Sequence, residues 1–319
     1  MVERIEYDEF GLFHENAAEY GLPYPGPPTV RRESVEVEPG RRLSALVWGT
    51  GRPELVLIHG GSQNAHTWDT VALALGRPLV AVDLPGHGHS DGPGDRPGGA
   101  LAPEGNAEDV AVVVRQLAPD AAAVVGMSLG GLTTIALSGV APDLVRKVVL
   151  VDVTPGVTPE KSRQITDFVN GPPTFGSFEE LLERTIQFNP TRSESSLRRG
   201  ILHNAVQRED GTWVWRWARW REGMGGGIPS EGAAPAAPAA DRPLYGELWD
   251  AVSAIQVPLM LARGMLDQSV IRDEDEAELL RRRPDARVVR FDRAGHSIQG
   301  DMPVELAREI ESFVFGSSP

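Results

Sequence analysis

The chain of 319 residues contains no cysteine. Disulfides, thiolate metal sites and a cysteine nucleophile are therefore excluded, and the composition fits a reducing compartment. No run approaches the ~20 apolar residues that span a bilayer. The start, "MVERIEYDEFGLFHE", lacks the basic and then apolar pattern of a secretory signal. A soluble, cytoplasmic protein is expected. Basic residues are fewer than acidic ones, 31 against 45, for a net charge of −14. That balance disfavours nucleic acid and anionic membrane as partners. Aromatic residues make up only 6%, and four of the seven tryptophans fall between 213 and 220. No internal repeat is present.

What is present is an alternation. "ESVEVE" and "RRLSALVWG" read as a hairpin of half-buried strands around a Pro-Gly turn. From Leu55, "LVLIHGG", "PLVAVDLPG", "AAAVVGM" and "VRKVVLVDV" are apolar runs expected of strands buried on both faces, with helical stretches between them. "VPLMLARG" and "ARVVRFD" resume the pattern near the C-terminus, each followed by a helix. Such alternation predicts an α/β fold with a mostly parallel sheet covered by helices on both faces. Residues 1–29 read as a peripheral extension, and 30–153 with 251–319 as the core. Residues 154–250 read as a mainly helical insertion between two strands, with a flexible Gly/Ala/Pro loop at 223–240.

Gly126-Met127-Ser128-Leu129-Gly130 lies between a predicted strand and a predicted helix. A serine there sits on a sharp turn, with glycines allowing close approach and a helix N-terminus favouring negative charge. A hydroxyl needs a base to become a nucleophile. Of the seven histidines, His296 follows the last predicted strand, at the same sheet edge as Ser128. The base needs an acid to orient it. Asp267, just past the preceding strand, gives the order Ser128, Asp267, His296; Asp152, ending "VVLVD", is the competitor, otherwise an anchor for the insertion. The N–H groups of Gly61, in "HGG", and of Leu129 are candidates to hold an oxyanion. His59, His87 and His89 read as structural.

With these motifs in order, "HGG", "VDLPGHGHSDGP", "GMSLGG", "GMLDQ" and "AGHSIQGDMP", the chain resembles the α/β-hydrolase superfamily, specifically its capped serine hydrolases, over roughly residues 33 to 316. The resemblance implies an eight-stranded sheet, a cap between its sixth and seventh strands, Ser128, Asp267 and His296 as a triad, and Gly61 with Leu129 as oxyanion donors. Met127 stands where the family often has histidine. Serine at 128 argues against the related dehalogenases and epoxide hydrolases, which carry aspartate there. No metal and no organic cofactor are implied.

Within the insertion, "GTWVWRWARW" places Trp213, Trp215 and Trp217 at alternating positions of an extended segment. They form either the cap's own core or, with Met127, an apolar wall for a small-molecule substrate. Phe175, Phe178 and Phe188 read as core, Arg216, Arg219 and Arg221 as an exposed basic face, and His203 as structural. The expected function is hydrolysis of a carboxylic ester or lactone through an acyl-enzyme on Ser128. The alternatives are a C–C bond hydrolase or thioesterase with the same triad, and a non-catalytic ligand-binding or sensor protein on the same scaffold. The sequence sets neither the acyl group nor the oligomeric state.

Overall fold

A computed structural model describes residues 4–94, 99–218 and 243–316. The first strands are β1 (Val30–Glu38), β2 (Arg41–Trp48), β3 (Leu55–Ile58), β4 (Leu79–Val82), β5 (Ala123–Met127) and β6 (Val148–Val151). Three short strands follow, β7 (Thr174–Phe175), β8 (Ala205–Gln207) and β9 (Trp213–Trp215), and then β10 (Leu259–Gly264) and β11 (Arg287–Phe291). The main sheet is eight-stranded, in the order β1-β2-β4-β3-β5-β6-β10-β11. β1 and β2 pair antiparallel, as does β2 with β4, while every pair from β4 to β11 is parallel.

The strand period of two sends successive side chains to opposite faces, and both faces are buried. On one side Val56, Ile58, Val124 and Leu150 pack under helices α3 (Pro103–Leu117) and α4 (Leu129–Val140). On the other, Leu55, Leu57, Val125 and Val149 pack with residues of α2 (Asp69–Leu75) and of a closing helix at Pro303–Phe315. Continuous apolar strands such as "LVLI" and "VVLV" follow from this double burial.

Between β6 and β10, the sixth and seventh strands of the main sheet in chain order, lies the cap. It carries α5 (Arg163–Val169), α6 (Phe178–Phe188) and α7 (Glu194–Asn204). It is not purely helical, since β7, β9 and β8 form a three-stranded antiparallel sheet. Trp213 and Trp215 are buried in the core of the cap with Phe175, Phe178 and Leu181. The loop 223–240, Trp220, Arg219 and Arg221 lie outside the described residues.

The N-terminal segment is more than a peripheral extension. Phe13, on α1 (Phe13–Glu19), is buried against Trp48 of the main domain with ring centroids 4.9 Å apart. The same segment reaches the cap, where Glu19 binds Arg199 and Ser193, and Tyr7 bonds His203 at 2.8 Å. Of its acids, Glu15 and Glu19 pair with the cap's Arg198 and Arg199, whereas Glu9 binds Arg32 and His66. No described helix is long and apolar enough to cross a membrane.

Candidate active site

β5 ends at Met127, and α4 starts at Leu129, so one residue makes the entire turn. Ser128 adopts φ 50° and ψ −120°, a conformation that costs a side-chain-bearing residue energy and is held only by its surroundings. Its carbonyl accepts from Gly131 and Leu132 at 2.8 and 3.0 Å, and its N–H donates to Val151 at 3.2 Å. The flanking glycines are required sterically. A Cβ on Gly126 would lie 2.2 Å from the Gly130 carbonyl oxygen, and one on Gly130 would lie 2.3 Å from that of Ile58.

The neighbouring strand supplies the carboxylate that meets His296. Met127 and Val151 are paired in register, so Ser128 and Asp152 are the next residues at the same edge of the sheet. Asp152 is wholly buried. Its Oδ1 accepts from the Gly264 N–H at 2.9 Å and the Ser269 hydroxyl at 2.7 Å, and its Oδ2 accepts from the Val270 N–H at 3.1 Å. The remaining contact is the His296 Nδ1–H, 2.9 Å from Oδ2. That bond assigns the proton to Nδ1 and leaves Nε2 as the basic nitrogen.

This corrects the expectation for Asp267. Asp267 is exposed on the turn after β10, while the ring of His296 is bonded to Asp152. The physical reason is position. Asp152 directly continues a buried strand adjacent to both β5 and β10, whereas Asp267 lies beyond the end of β10, where the chain has already turned outward.

The "HGG" loop lies against Ser128. A Cβ on Gly60 would meet the Met127 sulfur at 2.5 Å and the Ser128 Cβ at 3.1 Å. Among the described residues nothing accepts from the Gly61 N–H. The Leu129 N–H belongs to the first turn of α4, where no intrahelical acceptor exists. Two glutamines hold this loop, Gln299 from within the "AGHSIQGDMP" stretch. Gln63 Oε1 accepts from the Gly60 N–H at 3.1 Å, and Gln299, three residues after His296, bonds Gln63 at 3.4 Å and Thr67 at 3.2 Å. His59 and His87 serve the backbone: His59 Nε2 accepts from Leu84 N–H at 2.9 Å, and His87 Nε2 from Ser62 N–H at 3.0 Å. His89 is exposed, with its N–H on Asp83.

Ser128 and His296 open onto one cavity of about 960 Å³, bounded by the cap. Met127, Leu129, Gly61, Trp215 and Trp217 line it, but Trp213 does not. Trp213 instead packs edge-on against Phe178 inside the cap, with centroids 5.2 Å apart, so the placement of all three tryptophans on a substrate wall is corrected for that residue. Trp215 and Trp217 stack at 6.2 Å.

A second polar group borders the cavity. His66, Asp69 and His203 have ligand-type atoms within 4.8 Å of one another, and all three are buried. They do not fit a metal ion. The two imidazoles stack face to face, 3.8 Å apart and 9° from parallel, so their in-plane lone pairs cannot converge on one point. The Arg32 guanidinium lies 3.5 Å from His66 Nε2 as well. A proton suits the group better. Burial pulls the His66 pKa down, but Asp69 on Nδ1 at 2.9 Å and Glu9 on Nε2 at 3.1 Å outweigh it and hold the ring up at about 9. Burial keeps the stacked His203 well below the usual range and neutral, and Tyr7 donates to its Nδ1.

A strained serine between strand and helix, a histidine at the same sheet edge and a buried carboxylate on that histidine define the class of α/β enzymes with a nucleophile elbow. The model of the alpha/beta hydrolase family matches residues 55–309, and the chain belongs to this family. It is 42% identical over 316 residues to esterase Rv0045c of Mycobacterium tuberculosis, covering 95% of each chain. A crystal structure of that esterase superposes with a TM-score of 0.78 at 41% identity, covering 99% of this chain and 100% of the other. A 3-hydroxybutyrate-oligomer hydrolase of Cupriavidus necator is 27% identical, covering 83% of this chain and 90% of its own. The structure of E-2-(acetamidomethylene)succinate hydrolase, at 23% identity and a TM-score of 0.71 over 90% of this chain and all of the other, is alike in fold.

Proposed function

We propose that the protein is a serine hydrolase that cleaves a carboxylic ester or lactone of a fairly hydrophobic small molecule, with Ser128, His296 and Asp152 as its triad. The observation that carries this reading is the 2.9 Å bond from His296 to a buried Asp152 one register step from the strained Ser128. His296 Nε2 takes the Ser128 proton as Oγ attacks the carbonyl carbon, forming a tetrahedral oxyanion. The N–H groups of Gly61 and Leu129 bind that oxyanion. The C–O bond to the leaving alcohol breaks, and His296 returns the proton to the alcohol oxygen. Water, deprotonated by His296, then attacks the acyl-enzyme, and the carboxylic acid leaves as Ser128 recovers its proton. Asp152 stabilises the imidazolium at both steps.

The esterase named among the relatives supports ester bonds as the substrate class. Met127, Trp215 and Trp217 make the apolar wall that favours a hydrophobic acyl or alcohol group. The test is hydrolysis of short-chain p-nitrophenyl esters and of lactones by wild type and Ser128→Ala. Turnover that disappears with Ser128 is expected. Ester hydrolysis persisting unchanged in Ser128→Ala would contradict the mechanism.

A further inference from the structure

Among the described residues, three lysine or arginine side chains line the cavity that holds Ser128 and His296: Lys161, Arg192 and Arg199. Two are neutralised. Lys161 bonds both oxygens of Asp275 at 2.8 Å, and Arg199 binds Glu19. Arg192 has no carboxylate within ion-pairing distance among the described residues. Its Nη2 donates to the Ser196 hydroxyl at 2.5 Å, while its buried Nε–H has no acceptor among the described residues.

A guanidinium stays charged in a protein and offers five donors in one plane. Arg192 is only partly exposed, and with one hydroxyl as its side-chain partner among the described residues its charge lacks a counter-ion and its buried Nε–H is left uncompensated. The nearby acid does not relieve this. Asp301 Oδ2 accepts from the Gly295 N–H at 2.8 Å and its Oδ1 from the Thr191 hydroxyl at 2.9 Å, and neither oxygen reaches Arg192. Other neighbours by charge are Tyr20, Arg199 and Glu19, the last already bound to Arg199.

The side chain is also fixed in place. Its plane packs on the α-carbon of Gly300, where a Cβ would lie 2.8 Å from Arg192 Cζ. Gly300 belongs to the short helix Ile298–Asp301, which begins two residues after His296, and its carbonyl is held by the Tyr20 hydroxyl at 3.0 Å. The unpaired charge is thus mounted on the segment that carries the catalytic base, and faces the same cavity.

We propose that Arg192 is the anion-recognition group of this active site, and that the ester it selects carries a carboxylate remote from the scissile bond. The proposal rests on the serine-hydrolase reading above. A carboxylate in the cavity would accept from the outward edge of the guanidinium, the charge-assisted geometry to which arginine is suited. The apolar tryptophan wall would hold the connecting chain. The carboxylate belongs to either the acyl or the alcohol half of the ester, and two substrate pairs separate these sources. The first is the monomethyl ester of adipic acid against the methyl ester in which an isopropyl group replaces the free carboxyl. The second is the acetate ester of a hydroxypentanoic acid against the acetate with the same replacement.

The readout is the ratio of kcat/KM within each pair, so a general loss of folded enzyme cancels. In wild type, one anionic ester is expected to exceed its apolar isostere by at least about tenfold. Arg192→Met should bring that ratio to one or below, and Arg192→Lys should retain part of it. A wild-type preference for the isostere in both pairs, or an anion preference unchanged in Arg192→Met, overturns the proposal. Ser128→Ala run on the isosteres separates the two readings: turnover that survives in it overturns the serine mechanism, whereas serine-dependent turnover without anion preference overturns the role of Arg192 alone.

Discussion

The edge of the main sheet and the cap above it are built on different physics. At the edge, position is set by strand register: Met127 pairs with Val151, so Ser128 and Asp152 emerge side by side, and Asp152 is held by two backbone N–H groups and a hydroxyl. Gln63 and Gln299 hold the adjacent loop, but the Ser128–Asp152 juxtaposition itself depends on no long side chain. In the cap, position is set by side chains packing across elements that are short and far apart in sequence. Trp213 meets Phe178, Glu19 meets Arg199, and Tyr7 meets His203. Backbone hydrogen bonds repeated along a ladder tolerate little displacement, whereas side-chain contacts can be traded singly. The edge is therefore suited to chemistry that is the same for every ester, and the cap to the choice of ester.

This contrast can be broken in a graded way. The largest effect belongs at the edge. Asp152→Asn should lower kcat by about 10³–10⁴-fold, the scale on which a triad responds to the wrong imidazole tautomer, while Asp267→Asn should leave kcat near that of wild type. Steady-state kinetics on one p-nitrophenyl ester checks both. Next comes a pair within the cap. Trp213→Ala should cost about 3–5 kcal/mol of stability in a denaturant melt with KM little changed at low temperature. Trp215→Ala, which faces the cavity, should raise KM as well.

A smaller effect joins the two regions through His66. Its pKa is raised from 6.5 to about 9 in the folded protein. The contribution is complete below the unfolded pKa near 6.5 and is lost as pH rises through about 9, up to about 3 kcal/mol in all. The stability difference between wild type and His66→Gln should therefore shrink between neutral pH and pH 10 in paired urea melts. A constant difference across that range would show that the ring does not carry the proton. The smallest effect is in the N-terminal segment: Tyr20→Phe, which loses the bond to the Gly300 carbonyl, should cost about 1 kcal/mol.

The same contrast explains what could be read in advance. Ser128 and His296 were legible because strand–turn–helix context and glycine spacing mark a sheet edge, and register does the rest. The acid was harder, because Asp152 and Asp267 both follow strands of that edge and chain order does not distinguish them. Burial does: Asp152 directly continues "VVLV", whereas Asp267 comes three residues after Gly264, once β10 has ended and the chain has turned into solvent. The roles of Gln299 and Arg192 have no local signature, since each meets a partner on another element, and Gln63 joins its own loop to Gln299. Residues 1–29 were read as peripheral for a similar reason. Glu15 and Glu19 find their partners only once Arg198 and Arg199 of α7, some 180 residues later, are folded onto them.

The central claim is that the carboxylate on His296 comes from β6. Proton NMR of the imidazole Nδ1–H reports it without substrate. The account predicts a strongly downfield resonance in wild type that persists in Asp267→Asn and disappears, or moves far upfield, in Asp152→Asn. A resonance kept in Asp152→Asn and lost in Asp267→Asn would contradict it.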